Sequence, residues 1–134
     1  GGGGADFFSY TALSDGSPVS SNVTAANVSP AAVSGDKIFD FSTGADTLLF
    51  LNSAFGNFGA GVLSSDNFVT INSAYDGTNS GKSSGSKAFI FDSGKTLYFD
   101  SATDTSNQNV NAGYQVMATF DVSISNTDID IFNV

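Results

Sequence analysis

The residues of this chain that could do chemistry are carboxylates. Thirteen acidic and 4 basic residues among 134 give a net charge of −9. Every acid is Asp and every base is Lys (Lys37, Lys82, Lys87 and Lys95); Glu, Arg, His and Cys do not occur. Asp is short and favours turns, where its carboxylate can reach a hard, oxygen-seeking cation such as calcium. The most specific spacing lies at the start. Gly1-Gly2-Gly3-Gly4-Ala5-Asp6-Phe7-Phe8-Ser9 fits G-G-x-G-x-D-x-U-x at every fixed position, U being a large apolar residue. Glycines there permit backbone angles that aim carbonyl oxygens at an ion, Asp6 adds a carboxylate, and Phe8 turns inward from a very short strand. Phe41–Leu49 is a partial copy, in which Gly44-Ala45-Asp46-Thr47-Leu48 keeps G-x-D-x-U without the first two glycines. Each ion in an array of such repeats lies between successive loops, so one repeat offers about half a site. The competing readings are a simple turn role for Asp6, a turn or N-cap role for Asp46, and solubility for the Asp residues as a set.

What is missing narrows the chemistry further. Without His or Cys there is no Ser-His-Asp or Cys-His nucleophile and no ordinary zinc site. A two-carboxylate glycosidase site could be assembled from Asp alone, but no spacing proposes one, so the chain is not expected to be an enzyme. An acidic surface repels nucleic acid and anionic membranes. No window approaches the 18 or so apolar residues that a spanning helix needs, so no membrane insertion is expected. The first residues have neither the basic nor the apolar region of a signal peptide. They also lack an initiator Met, which predicts a fragment of a larger protein. With no disulfides available, metal ions could supply the cross-linking of an exported domain.

Elements short enough to carry such turns must be strands. Apolar residues make up 40%, with thirteen Phe, so residues 1–134 can form one domain with a real core. Strands are predicted at Phe7–Thr11, Lys37–Phe41, Thr47–Leu51, Phe68–Ile71, Lys87–Phe91, Thr96–Phe99, Tyr114–Val122 and Ile129–Val134. A short helical turn is allowed only around Phe55–Phe68. Asp92-Ser93-Gly94-Lys95 lies between two aromatic-rich runs and predicts a hairpin. Tyr75–Ser86 and Thr103–Gly113 read as loops, the first as a mobile one, and Ser14–Ser34 as partly irregular. The expected core comprises Phe8, Ile38, Phe41, Leu48, Phe50, Phe68, Val69, Ile90, Leu97, Val116 and Phe120. Burial of each such side chain is worth about 1.5–3 kcal/mol.

Gly1–Ser9 together with Gly35–Leu48 resembles the end of repeats-in-toxin (RTX, hemolysin-type calcium-binding) proteins, in particular the C-terminal region of serralysin-like proteins. Asp36-Lys37-Ile38-Phe39-Asp40-Phe41-Ser42-Thr43-Gly44-Ala45-Asp46 is similar to the D-x-I-x-D-F-x-x-G-x-D run that often follows the last repeats in that family. Ala88–Asp92, Thr96–Asp100 and Val116–Phe120 resemble the family's final strands, while Ser14–Ser34 and Tyr75–Ser86 match poorly. The resemblance implies an all-β fold: a short parallel β-roll remnant at the N-terminal end, packed on an antiparallel β-sandwich.

The resemblance implies calcium at Gly2, Gly4, Asp6, Asp36, Asp40, Gly44 and Asp46. It also implies an uncleaved signal for a type I secretion exporter in Asp128, Ile129, Asp130, Ile131, Phe132, Asn133 and Val134. The competing reading of that tail is an edge strand, with Ile129, Ile131 and Asn133 on one face. The expected function is then a calcium-stabilised C-terminal module serving an upstream domain of the same chain, secreted or held at the cell surface. Without calcium, carboxylate repulsion and Gly-rich loops oppose folding; one site at a hundred times its Kd would add roughly 2.7 kcal/mol. The alternative is a calcium-dependent adhesive or lattice-forming module. Exposed Tyr75, Tyr98 or Tyr114 in a shallow groove beside an ion would favour it.

Overall fold

The computed structural model describes residues 3–18, 35–103 and 114–134. Among these residues ten strands form two sheets: β1 (Phe7–Tyr10), β2 (Ser17–Pro18), β3 (Asp36–Ile38), β4 (Thr47–Leu51), β5 (Gly61–Val62), β6 (Phe68–Thr70), β7 (Ala88–Phe91), β8 (Thr96–Asp100), β9 (Gln115–Phe120) and β10 (Ile129–Phe132). The fold is all-β; the described residues include one helical turn, α1 (Asn52–Phe55), and 3-10 turns at Leu13–Asp15, Ser65–Asn67 and Asn126–Asp128. The smaller sheet has the order β1-β4-β10-β5. The larger runs β2-β9-β8-β7-β6, with β3 also on β9, next to Ala118–Phe120.

All eight predicted strands form, and β4 has the expected bounds. Two strands were not foreseen, β2 and β5, each two residues long and too short to carry a period. The Asp92–Lys95 turn joins β7 and β8 antiparallel. Lys95 takes φ 57, and the Asp92 carboxylate accepts the N–H groups of Gly94 and Thr96, so Asp supplies the turn's polar contacts. The α-helical turn precedes the expected region and meets it only at Phe55, ending on Gly56 at φ 92, while one 3-10 turn falls inside that region and two lie outside it.

Parallel pairing extends beyond the N-terminal end, into strands expected to be antiparallel. β1, β4 and β10 run parallel, with Phe8 beside Leu48 and Leu48 beside Ile129. In the other sheet β3 runs parallel to β9. The chain therefore passes twice from the larger sheet to the smaller through a turn, once as β3-turn-β4 and again as β9-turn-β10, and the second passage stacks on the first. We call each passage a rung; β1 and the turn before it make a partial third.

Between the sheets lies an aromatic core. Phe50 sits 4.6 Å from Phe89 and 5.0 Å from Phe55 between ring centroids, and Tyr10 stacks on it at 4.8 Å. Leu48, Ile129 and Ile131 close it from the smaller sheet, and Leu97, Phe99 and Met117 from the larger. Ile38, Phe41 and Phe120 are buried there as expected, whereas Phe8 and Phe68 are only half-buried against it. Ile90 and Val116 are buried on the opposite face of the larger sheet, in a second cluster with Ala88, Tyr75, Tyr98 and Tyr114; half-buried Val69 packs against it. β7 and β8 are thus buried on both faces, which is why they read as continuous apolar runs instead of alternating ones.

Candidate functional site

The turns that enter β1, β4 and β10 each carry one Asp. Entering β4, the N–H groups of Ala45 and Asp46 donate to the Ser42 carbonyl, and Gly44 adopts φ 82. A left-handed residue at that point suits glycine. The Asp46 carboxylate closes the loop on itself, accepting from the Ser42 N–H at 2.8 Å. Its other oxygen accepts from the Asp6 N–H of the neighbouring rung at 2.9 Å, and the Asp6 carbonyl in turn accepts from the Thr47 N–H. These donors, Ser42 first, hold the Asp46 carboxyl below its ordinary value of 3.8.

Asp128 repeats the device one rung further on. It accepts from the Ser125 N–H at 2.9 Å, closing its own turn, and reaches back to Thr43 Oγ1 at 2.8 Å and the Gly44 N–H at 3.0 Å. Asp46 and Asp128 are 3% and 1% exposed, so both form a buried polar seam between rungs. In both cases the carboxylate of the later rung accepts from the turn of the earlier one.

This seam gathers some of the expected cation ligands and separates others. Asp6 and Asp46 are brought together, and Gly4 (φ 135) and Gly44 frame their turns. Gly2 lies outside the described residues. Asp40 is exposed in the bend before the second turn. Asp36 stands apart from both turns: it begins β3 and accepts from the Tyr10 hydroxyl, at the far end of β1, at 3.0 Å. Burial, and then the Asp36 charge, push the Tyr10 phenol up. Among the described residues no group of three or more acids converges as a metal cage. The side chains of Asp6 and Asp46 offer oxygen ligands only, the chemistry of a hard cation. Asp46 is already occupied by two amides, so its turn is held without an ion.

The tail 128–134 is not an edge strand. β10 lies between β4 and β5, and Asp128, Ile129 and Ile131 are buried. Asn133, expected on the buried face, is exposed and accepts a bond from the Asn52 amide at 3.0 Å. The seam role of Asp128 was not expected, although Ser125-x-x-Asp128 carries the pattern of a capping box.

A second polar centre was missed altogether. Tyr75, Tyr98 and Tyr114 are 1–2% exposed and meet with ring centroids 4.8–5.5 Å apart. They form no exposed groove, so the feature that would have favoured a sugar-binding reading is not there. The Tyr75 hydroxyl donates to Asp100 at 2.6 Å, and its N–H donates to Asp92 at 3.1 Å. Burial, followed by Asp100 for Tyr75, Asp92 for Tyr98 and Asp76 for Tyr114, raises all three phenols. The polar stretch Tyr75–Ser86, expected to be mobile, is tied down by these bonds, by the Gly85 N–H donating to the Thr103 carbonyl and by the Thr103 N–H donating to the Ser86 carbonyl.

No protein-family model matches this chain, and no curated protein or solved structure matches it significantly. No helix among the described residues is long and apolar enough to cross a membrane.

Proposed function

We propose that this chain is the terminal, calcium-stabilised module of a larger exported protein, closing a short parallel β-roll. The observation that carries this reading is the stacking of β3-turn-β4 under β9-turn-β10, each turn holding a buried Asp that grips the rung before it. Sequence resemblance to RTX proteins supports it independently. The polar seam holds the last two rungs, and calcium acts at the more open turn entering β1, where Asp6 and glycine-framed carbonyls supply the oxygens. Asp40 and Asp36 are left as flanking charge.

Residues 128–134 serve as the exporter's signal while the chain is unfolded and become the central strand β10 afterwards. Chelator titration and a fusion experiment test the two halves of this proposal. Calcium is expected to raise the melting midpoint, with magnesium much weaker, and Asp6→Asn is expected to abolish most of the rise. A passenger carrying 87–134 is expected to leave cells through a type I exporter. A midpoint indifferent to calcium removes the first half, and a retained passenger removes the second.

A further inference from the structure

Side chains alternate along β4 and β10, so the partners of buried Leu48, Phe50, Ile129 and Ile131 must point away from the core. Those partners are Leu49, Leu51, Asp130 and Phe132, all half-buried. Register places them together: Leu49 beside Asp130, Leu51 beside Phe132, and Asp130 beside Val62 on β5. Val62 is 58% exposed, and Phe7, on the same face of β1, is 67% exposed. Contiguous apolar side chains on a sheet face mark an interaction surface more often than scattered ones do. Within this patch Asp130 is the one ionisable side chain, and it makes no hydrogen bond or ion pair among the described residues.

Acidic residues outnumber basic ones around this face, and the Lys87 and Lys82 ammoniums that reach the segments flanking β5 are held by the Gly56 and Asp66 carbonyls. None of the four lysines lies on β1, β4, β5 or β10, or on the rung turns that lead into them, whereas Asp6, Asp46 and Asp128 do. A second copy would set Asp130 and the surrounding acids against their own images across a two-fold axis, which like-charge repulsion opposes. An anionic bilayer is opposed for the same reason. We propose that the outer face of the smaller sheet docks a basic amphipathic helix of another polypeptide. Its apolar stripe would cover Leu49, Leu51, Val62 and Phe132, and a Lys or Arg within that stripe would pair with Asp130. A helix fits better than a strand because the patch is a face two to three strands wide rather than an open edge. The ion pair would be ringed by apolar groups that exclude water, the arrangement in which a single charge pair counts most.

The probe is a synthetic Leu/Lys amphipathic helix of about four turns, titrated into the 134-residue chain and followed by amide chemical shifts, with a Leu/Glu helix as counterpart. Saturable shifts confined to the segments around Leu49, Leu51, Val62 and Asp130 are expected for the Lys helix alone. Asp130→Asn is expected to weaken binding by roughly tenfold. Asp121→Asn, which removes the same charge beyond β9, is expected to weaken it by less than about twofold. Leu49→Thr is a second variant, expected to lose binding while keeping its melting midpoint. The proposal is overturned by shifts scattered over the acidic surface, by equal effects of the two Asp variants, or by equal binding of the Glu helix. It is also overturned if light scattering shows a dimer that buries these residues.

Discussion

Among the described residues, the larger sheet has a roof on its outer face and the smaller sheet does not. Ala88, Ile90, Tyr98 and Val116 would face solvent, but the 72–86 segment and Tyr114 fold over them and bury three phenols with two carboxylates. Across the molecule, Leu49, Leu51 and Phe132 have no such cover among the described residues. The acids differ in the same way. Asp92 and Asp100 hold a roof onto a sheet, whereas Asp46 and Asp128 hold one rung onto the next. Short carboxylates therefore do two structural jobs here, and both depend on saturating each oxygen with N–H or O–H donors, because a buried unpaired carboxylate is costly.

The contrast can be broken most severely at the roof. Tyr75→Ala removes a buried ring and the hydroxyl bond to Asp100 while keeping the backbone N–H that Asp92 accepts, and should cost about 3–5 kcal/mol in a urea titration. Asp128→Ala leaves the Thr43, Gly44 and Ser125 donors without their acceptor and should cost on the order of 3 kcal/mol, enough to loosen β10 in hydrogen exchange.

Titration separates the two regions further. The three roof phenols have raised folded values, so their stabilisation is whole below the ordinary value of 10.0 and is lost as pH climbs past it. Asp46 has a lowered folded value, so its contribution is whole above 3.8 and is lost as pH falls through the folded value. Site-resolved exchange should show roof amides opening first in alkali and rung-turn amides opening first in acid; simultaneous opening at both extremes would contradict the division. The smallest effect belongs to the uncovered face, where Leu49→Thr should change stability by less than about 1 kcal/mol.

The strands were legible because short aromatic and β-branched runs stand between turn residues, and because Asp92–Lys95 is turn chemistry written locally. Rung order was less legible. Nothing in Thr96–Phe99 or Ile129–Val134 says which neighbour each strand takes, and β10 reaches the centre of its sheet through contacts with residues some eighty positions earlier. The seam was half visible: G-x-D marked Asp6 and Asp46, while Asp128 was hidden in a tail that also reads as a signal. The tyrosine cluster was misjudged because the segment covering it is rich in Ser, Gly and Asn, a composition that reads as solvent-facing. Two side chains in that segment override it, Tyr75 by its hydroxyl bond to Asp100 and Asn79 by bonding the Ala74 carbonyl and the Asp76 N–H.

Thermal unfolding across a calcium titration, starting from chelator, tests the central claim most directly. Saturating a single site to a hundred times its Kd should raise the midpoint by roughly 10 °C. Magnesium should do much less, and Asp6→Asn should remove most of the rise. A midpoint unchanged from chelator to excess calcium would contradict the account and leave the Asp seam, strand pairing and core to hold the rungs together without an ion.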